Sequence, residues 1–119
     1  SIEFGENSFW VFQDIGYEIK CKLNNPVNEL EDRLVQEGWN CSPFPEEMVK
    51  EILSDTAFRR EMYQLNNSTK SYWLYLDVDA LRNGKKDDRM SAFQYRTPHY
   101  LVALYIPEDN VLYYLECSI

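Results

Sequence analysis

The chain has 119 residues, 45% apolar and 27% charged, which suits one domain spanning 1–119 and excludes disorder, collagen-like repeats and coiled coil. Twenty Asp and Glu against twelve Lys and Arg leave a net charge of −8. That is the wrong sign for displacing counterions from a nucleic-acid backbone or for polybasic attachment to anionic lipid. No apolar run approaches the roughly 18 residues that a membrane-spanning helix needs.

In chain order, Ser8 to Gln13 is β-branched and aromatic, and Tyr17 to Leu23 alternates apolar and polar without a fault. The short connection Asp14-Ile15-Gly16 makes residues 8–23 a hairpin near one edge of a sheet. Alternation points Tyr17, Ile19, Cys21 and Leu23 inward and Glu18, Lys20 and Lys22 outward.

Asn25 and Pro26 then suit an N-cap and a first helical residue, with Val27, Leu30 and Leu34 at helical spacing. Gly38 is placed to end that helix in a left-handed conformation, and Trp39 can fold back onto its last turn. Pro45 with Glu46 and Glu47 reads as the first turn of another helix, its acids at the positive end of the dipole. The stripe Met48, Val49, Ile52, Leu53 and the stripe Phe58, Met62, Leu65 point roughly 140° apart at helical periodicity. One straight helix would expose one of them, so two short helices are expected, with Ser54 or Asp55 capping the second. Asn66 to Lys70 reads as a polar loop.

Beyond it, Tyr72–Leu76, Tyr100–Ile106 and Val111–Leu115 are nearly continuous apolar runs and form the central strands. The last two flank Pro107-Glu108-Asp109-Asn110, a turn with Pro where a type I turn prefers it. Between residues 81 and 97 an exposed loop and a short strand near Phe93 and Tyr95 are expected. The order of strands, helices, then strands gives an α+β fold, an antiparallel-dominated sheet of five or six strands with two or three helices packed on one face. Period-two alternation puts Leu74, Leu76, Val102, Leu104, Ile106, Tyr113 and Leu115 on one side of the central strands. The other side then carries Trp73, Tyr75, Leu101, Tyr105, Leu112, Tyr114 and Glu116, and is left half-exposed, covered by a loop, or used as an interface.

Several motifs bear on chemistry. Asp14 with Glu18-Ile19-Lys20 resembles the Asp…Glu-x-Lys pattern of restriction-endonuclease-like nucleases, in which two carboxylates hold a divalent metal and a lysine stands near the attacking water. Here the acid lies in the turn of the same hairpin, four residues from Glu18, and not on a preceding strand. Asp77-Val78-Asp79 after an apolar strand resembles the first motif of haloacid-dehalogenase-like phosphotransferases. Leu81 stands where that family prefers Thr or Val, and the forty residues after Asp79 hold no set of later motifs, so the segment reads as a strand end and turn. The single histidine, His99, begins a buried strand and reads as structural. The cysteines, Cys21, Cys41 and Cys117, are odd in number and lack C-x-x-C spacing, so free thiols and a cytoplasmic location are expected. No cofactor or metal ligand set is implied, and no glycine loop suits phosphate.

What remains is acidity. Residues 26–55 hold eight acids against two bases. The expectation is a non-catalytic protein-binding module for a basic partner, by class analogy with immunity proteins and antitoxins that neutralise a cationic enzyme such as a nuclease toxin. Glu29, Asp32, Glu46, Glu47 and Glu51 would pair with the partner's cations, and Trp39, Trp73, Tyr75 and Tyr105 would supply its anchors. The alternatives are a metal-dependent nuclease or hydrolase using Asp14, Glu18 and Lys20, and a homodimer paired through the aromatic sheet face.

Overall fold

The computed structural model describes residues 9–13, 16–78 and 99–118. The elements are β1 (Phe9–Gln13), β2 (Gly16–Lys22), α1 (Val27–Gln36), β3 (Asn40–Cys41), α2 (Glu46–Ile52), α3 (Ala57–Ser68), β4 (Tyr72–Asp77), β5 (His99–Ile106) and β6 (Val111–Ser118). The six strands form one antiparallel sheet in the order β1-β2-β6-β5-β4-β3. The fold is thus α+β, with the β1–β2 hairpin at one edge and the apolar runs at the centre, as the alternation and composition require. Asp14 of the hairpin connection, and the loop and short strand expected between residues 81 and 97, lie outside the described residues. Among the described residues no helix is long and apolar enough to cross a membrane.

Helices cover both sides of the sheet. α2 and α3 pack on one face, where Met48, Ile52 and Met62 meet Trp73, Val102 and Leu115. α1 packs on the other, where Leu30 and Leu34 meet Ile19, Cys21, Tyr72 and Tyr105. The face expected to be half-exposed, covered by a loop or used as an interface is therefore partly covered by a helix, α1. Its Gly38 takes φ +85°, and the Gly38 amide donates to Val35 O (3.1 Å) while that of Trp39 donates to Leu34 O (3.0 Å). This is a Schellman ending, and it brings Trp39 back against the α1 core.

Several local expectations change. α1 begins at Val27 with Pro26, not Asn25, in the cap position and no side-chain cap. The break between α2 and α3 is present, but the cap is Thr56, whose hydroxyl accepts from the Arg59 amide, rather than Ser54 or Asp55. Asn66, Asn67 and Ser68 are the last turn of α3 and not a loop. Asn66 is buried there because its side chain has work to do: Oδ1 accepts from the Phe44 amide (2.7 Å) and Nδ2 donates to Ser71 Oγ (3.0 Å).

The phase of β4 is the reverse of the one expected. Trp73 pairs with Leu104 and Tyr75 with Val102, which places both aromatics on the α2–α3 face, while Tyr72, Leu74 and Leu76 occupy the α1 face. Glu18 is the second inversion. It is 4% exposed, turned under α3 instead of outward to water. The β5–β6 turn closes on Asn110 at φ +52°, a conformation Asn tolerates. Its amide side chain donates to Leu23 O and Asn25 O and accepts from the Tyr105 hydroxyl, which ties the turn to the end of β2.

Candidate functional site

The acids of residues 26–55 do not form one surface. Glu29 and Asp32 lie exposed on α1, on one side of the sheet, and Glu46 and Glu47 lie exposed on α2, on the other. Glu51, also on α2, is half-buried. Nearby acids already have partners: Glu37 pairs with Arg33 (3.2 Å), Glu31 with Lys70 (3.4 Å) and Asp55 with Arg59 (3.5 Å). Glu29, Asp32, Glu46 and Glu47 have no ion pair among the described residues.

The aromatic anchors fare differently from the acids. Trp73 is 6% exposed and its indole N–H donates to Cys41 O (3.0 Å); Tyr75 and Tyr105 are fully buried. These three build the core and present no surface to a partner as folded. Trp39 is half-buried against α1. The same burial bears on a homodimer through the sheet, since each face carries at least one helix.

What the sequence left unnoticed is a groove beside the α2 acids. Glu46, Val49 and Lys50 share one face of α2, Tyr63 and Asn67 share one face of α3, and Pro43 and Phe44 close the groove. Its volume is about 430 Å³. Tyr63 is one of only two large apolar side chains exposed among the described residues, the other being Val35. The signal was present in the sequence: Tyr63 falls off the Phe58, Met62, Leu65 stripe and has no core position to fill.

Of the nuclease-like residues, Glu18 and Lys20 are engaged by α3 and its cap, and Asp14 lies outside the described residues. The Thr56 hydroxyl donates to Glu18 Oε2 (2.8 Å), and Arg59 Nε lies 3.6 Å from the same oxygen. Arg59 Nη1 donates to Ile52 O (3.1 Å) and the Tyr100 hydroxyl (3.2 Å). A guanidinium and a hydroxyl thus share the Glu18 carboxylate. Lys20 turns to Glu61 (3.7 Å) and lies over the Tyr113 ring. Among the described residues no three His, Cys, Asp or Glu side chains converge as metal ligands.

A second polar cluster occupies the α1 face beyond the helix. Glu116 Oε1 accepts from the hydroxyls of Tyr114 (2.7 Å) and Tyr17 (2.9 Å), and His99 Nε2 lies 2.8 Å from Oε2. Burial favours the protonated acid, but hydrogen bonds from Tyr114, His99 and Tyr17 outweigh it and hold the Glu116 pKa below the usual carboxylate value. Burial and the neighbouring carboxylate push Tyr114 and Tyr17 upward. The arrangement holds the carboxylate among the Tyr17 and Tyr114 hydroxyls and the His99 ring, joining β2, β5 and β6 at one end of the sheet. A comparison with family models, with curated proteins and with solved structures finds no match to this chain.

Proposed function

We propose that this chain is a non-catalytic, acidic protein-binding module whose partner is a basic protein, in the manner of an immunity protein or antitoxin that neutralises a cationic enzyme. The observation that carries the reading is the α2 surface, where exposed Glu46 and Glu47 lack ion pairs among the described residues and adjoin the apolar groove of Val49 and Tyr63. An unpaired carboxylate in water loses little on meeting a cation, and a net charge of −8 steers a basic partner toward it. Apolar surface beside such acids supplies what charge alone does not, since buried anchors and not rim ion pairs set affinity. The α1 acids Glu29 and Asp32 face another direction and contribute to the long-range field rather than to contact.

The test is capture from the source lysate on immobilised protein, run in parallel on the wild type and on E46K/E47K. The reading expects a basic protein retained by the wild type, released at high salt and lost from the variant. Equal retention on both columns would refute the α2 surface as the docking face. No retained basic protein on either would refute the reading itself.

A further inference from the structure

We infer that the groove between α2 and α3 receives a single apolar side chain, aromatic or branched aliphatic, from a partner segment that carries Arg or Lys beside it. This inference rests on the protein-binding reading above and specifies the chemistry of what binds.

The groove is built for insertion. It is a half-open groove of about 430 Å³, a size within the range of ligand sites. Its inner end is apolar and fixed. Phe44 is 5% exposed, its amide is held by Asn66 Oδ1 (2.7 Å), and its ring packs at 5.5 Å from that of Trp73. Asn66 is itself held by Ser71 (3.0 Å), so the floor is ordered before anything binds, and little ordering entropy is lost on insertion. The walls are Val49 and the exposed ring of Tyr63, a residue type that concentrates binding energy in interfaces. Lys50, exposed, also lines the groove and brings a cation to it.

The rim decides the flanking chemistry. Glu46 lines the groove and Glu47 follows it, both exposed and without ion pairs among the described residues. Lys50 brings one cation to the lining, but Glu46 and the adjoining Glu47 outnumber it on a molecule of net charge −8, so Arg or Lys beside the apolar group is favoured over a carboxylate. The apolar pocket and the acidic rim are contiguous, so one short segment of a partner satisfies both.

The experiment titrates the full isotope-labelled chain with three capped tripeptides, Arg-Trp-Arg, Gln-Trp-Gln and Arg-Ala-Arg, up to about 10 mM, which reaches Kd values in the millimolar range. Arg-Trp-Arg should shift the amides of Val49, Tyr63 and Asn67 saturably, and each control peptide should bind at least about fivefold more weakly. Tyr63→Ala, exposed and so compatible with folding, should weaken Arg-Trp-Arg by about tenfold. Arg-Ala-Arg binding as tightly as Arg-Trp-Arg, spread over the acids of α1 and α2, would overturn the groove while leaving a basic partner in place. Gln-Trp-Gln binding as tightly would overturn the basic flank. Shifts at these residues that depend on protein concentration without peptide would assign the groove to a second copy of the chain and overturn the inference. No shift with either Arg peptide would count against the inference and against the electrostatic reading beneath it.

Discussion

Replacing Glu18 by Ala should destabilise the protein far more than its place on a strand suggests. The Glu18 and Arg59 side chains are each only 6% exposed, and Glu18 is the buried counter-charge to the guanidinium. Removing one member of a buried pair costs about 3–5 kcal/mol, because the survivor stays desolvated. The lower end applies here. Arg59 Nη1 keeps Ile52 O and the Tyr100 hydroxyl, and half-exposed Asp55 remains at 3.5 Å. The Thr56 hydroxyl also loses its acceptor at 2.8 Å, worth about another 1 kcal/mol. The expected cost is therefore about 3–4 kcal/mol, a large share of a domain stability of about 5–15 kcal/mol. Among the described residues Arg59 Nε has no hydrogen-bond partner, so the pair is not optimally made. For that reason E18L/R59M together should cost less than Glu18→Ala alone, even though Thr56, Ile52 O and the Tyr100 hydroxyl lose their partners. Urea unfolding at constant m-value measures both. Glu61→Ala, which removes the exposed partner of Lys20, serves as the comparison and should cost less than about 1 kcal/mol. A Glu18→Ala cost as small as that, or a double variant as unstable as the sum of its single changes, would refute the reasoning.

Gly38→Ala should cost about 1 kcal/mol, the penalty for a side chain at φ +85°, with no steric addition because no described residue lies within 4 Å of the new Cβ; a thermal melt that does not move would contradict it. Alkaline stability follows from the tyrosines. Burial pushes Tyr100 and Tyr105 up to about 12, and Tyr17, Tyr72, Tyr113 and Tyr114 are also raised. Above pH 10 the unfolded chain loses phenolic protons that the folded chain retains, so stability is lost as pH climbs from about 10 toward 12. Ultraviolet titration should show these six ionising late and together with unfolding; early, reversible ionisation of all nine would contradict it. At the acid end, Glu116 has a depressed pKa, so its stabilisation is present above 4.5 and is lost as pH falls through the folded value. Glu116→Gln should therefore differ most from the wild type near neutrality, the two stabilities converging in acid; a constant difference would exclude the linkage.

Sequence reading succeeded where the controlling physics is local. The two stripes of α2 and α3 point in different directions whatever surrounds them, and so the break between those helices was visible. Gly38 and the alternation of Ile19, Cys21 and Leu23 are local in the same sense. The phase of Tyr72–Leu76 was not visible because an unbroken apolar run carries no polar residue to mark its outer face. Pairing with Leu104 and Val102 on β5 decides it. Alternation alone sends Glu18 to solvent with Lys20 and Lys22, where charges on such a strand ordinarily go. Its burial depends on Arg59, 41 residues away on a helix whose own pattern gives no hint of a buried guanidinium. The candidate surface shows the same division. The acids were legible as composition, but their separation onto opposite sides of the sheet, and the groove beside Glu46, exist only once α1 and α2 have packed.

The most direct measurement of the central claim is the association rate of the captured basic protein with the wild type and with E46K/E47K, each across a series of ionic strengths. Docking on the α2 acids requires a wild-type rate that falls steeply with salt and a variant rate that is slower at low salt and nearly flat. Coincident rates and slopes for the two proteins would contradict it.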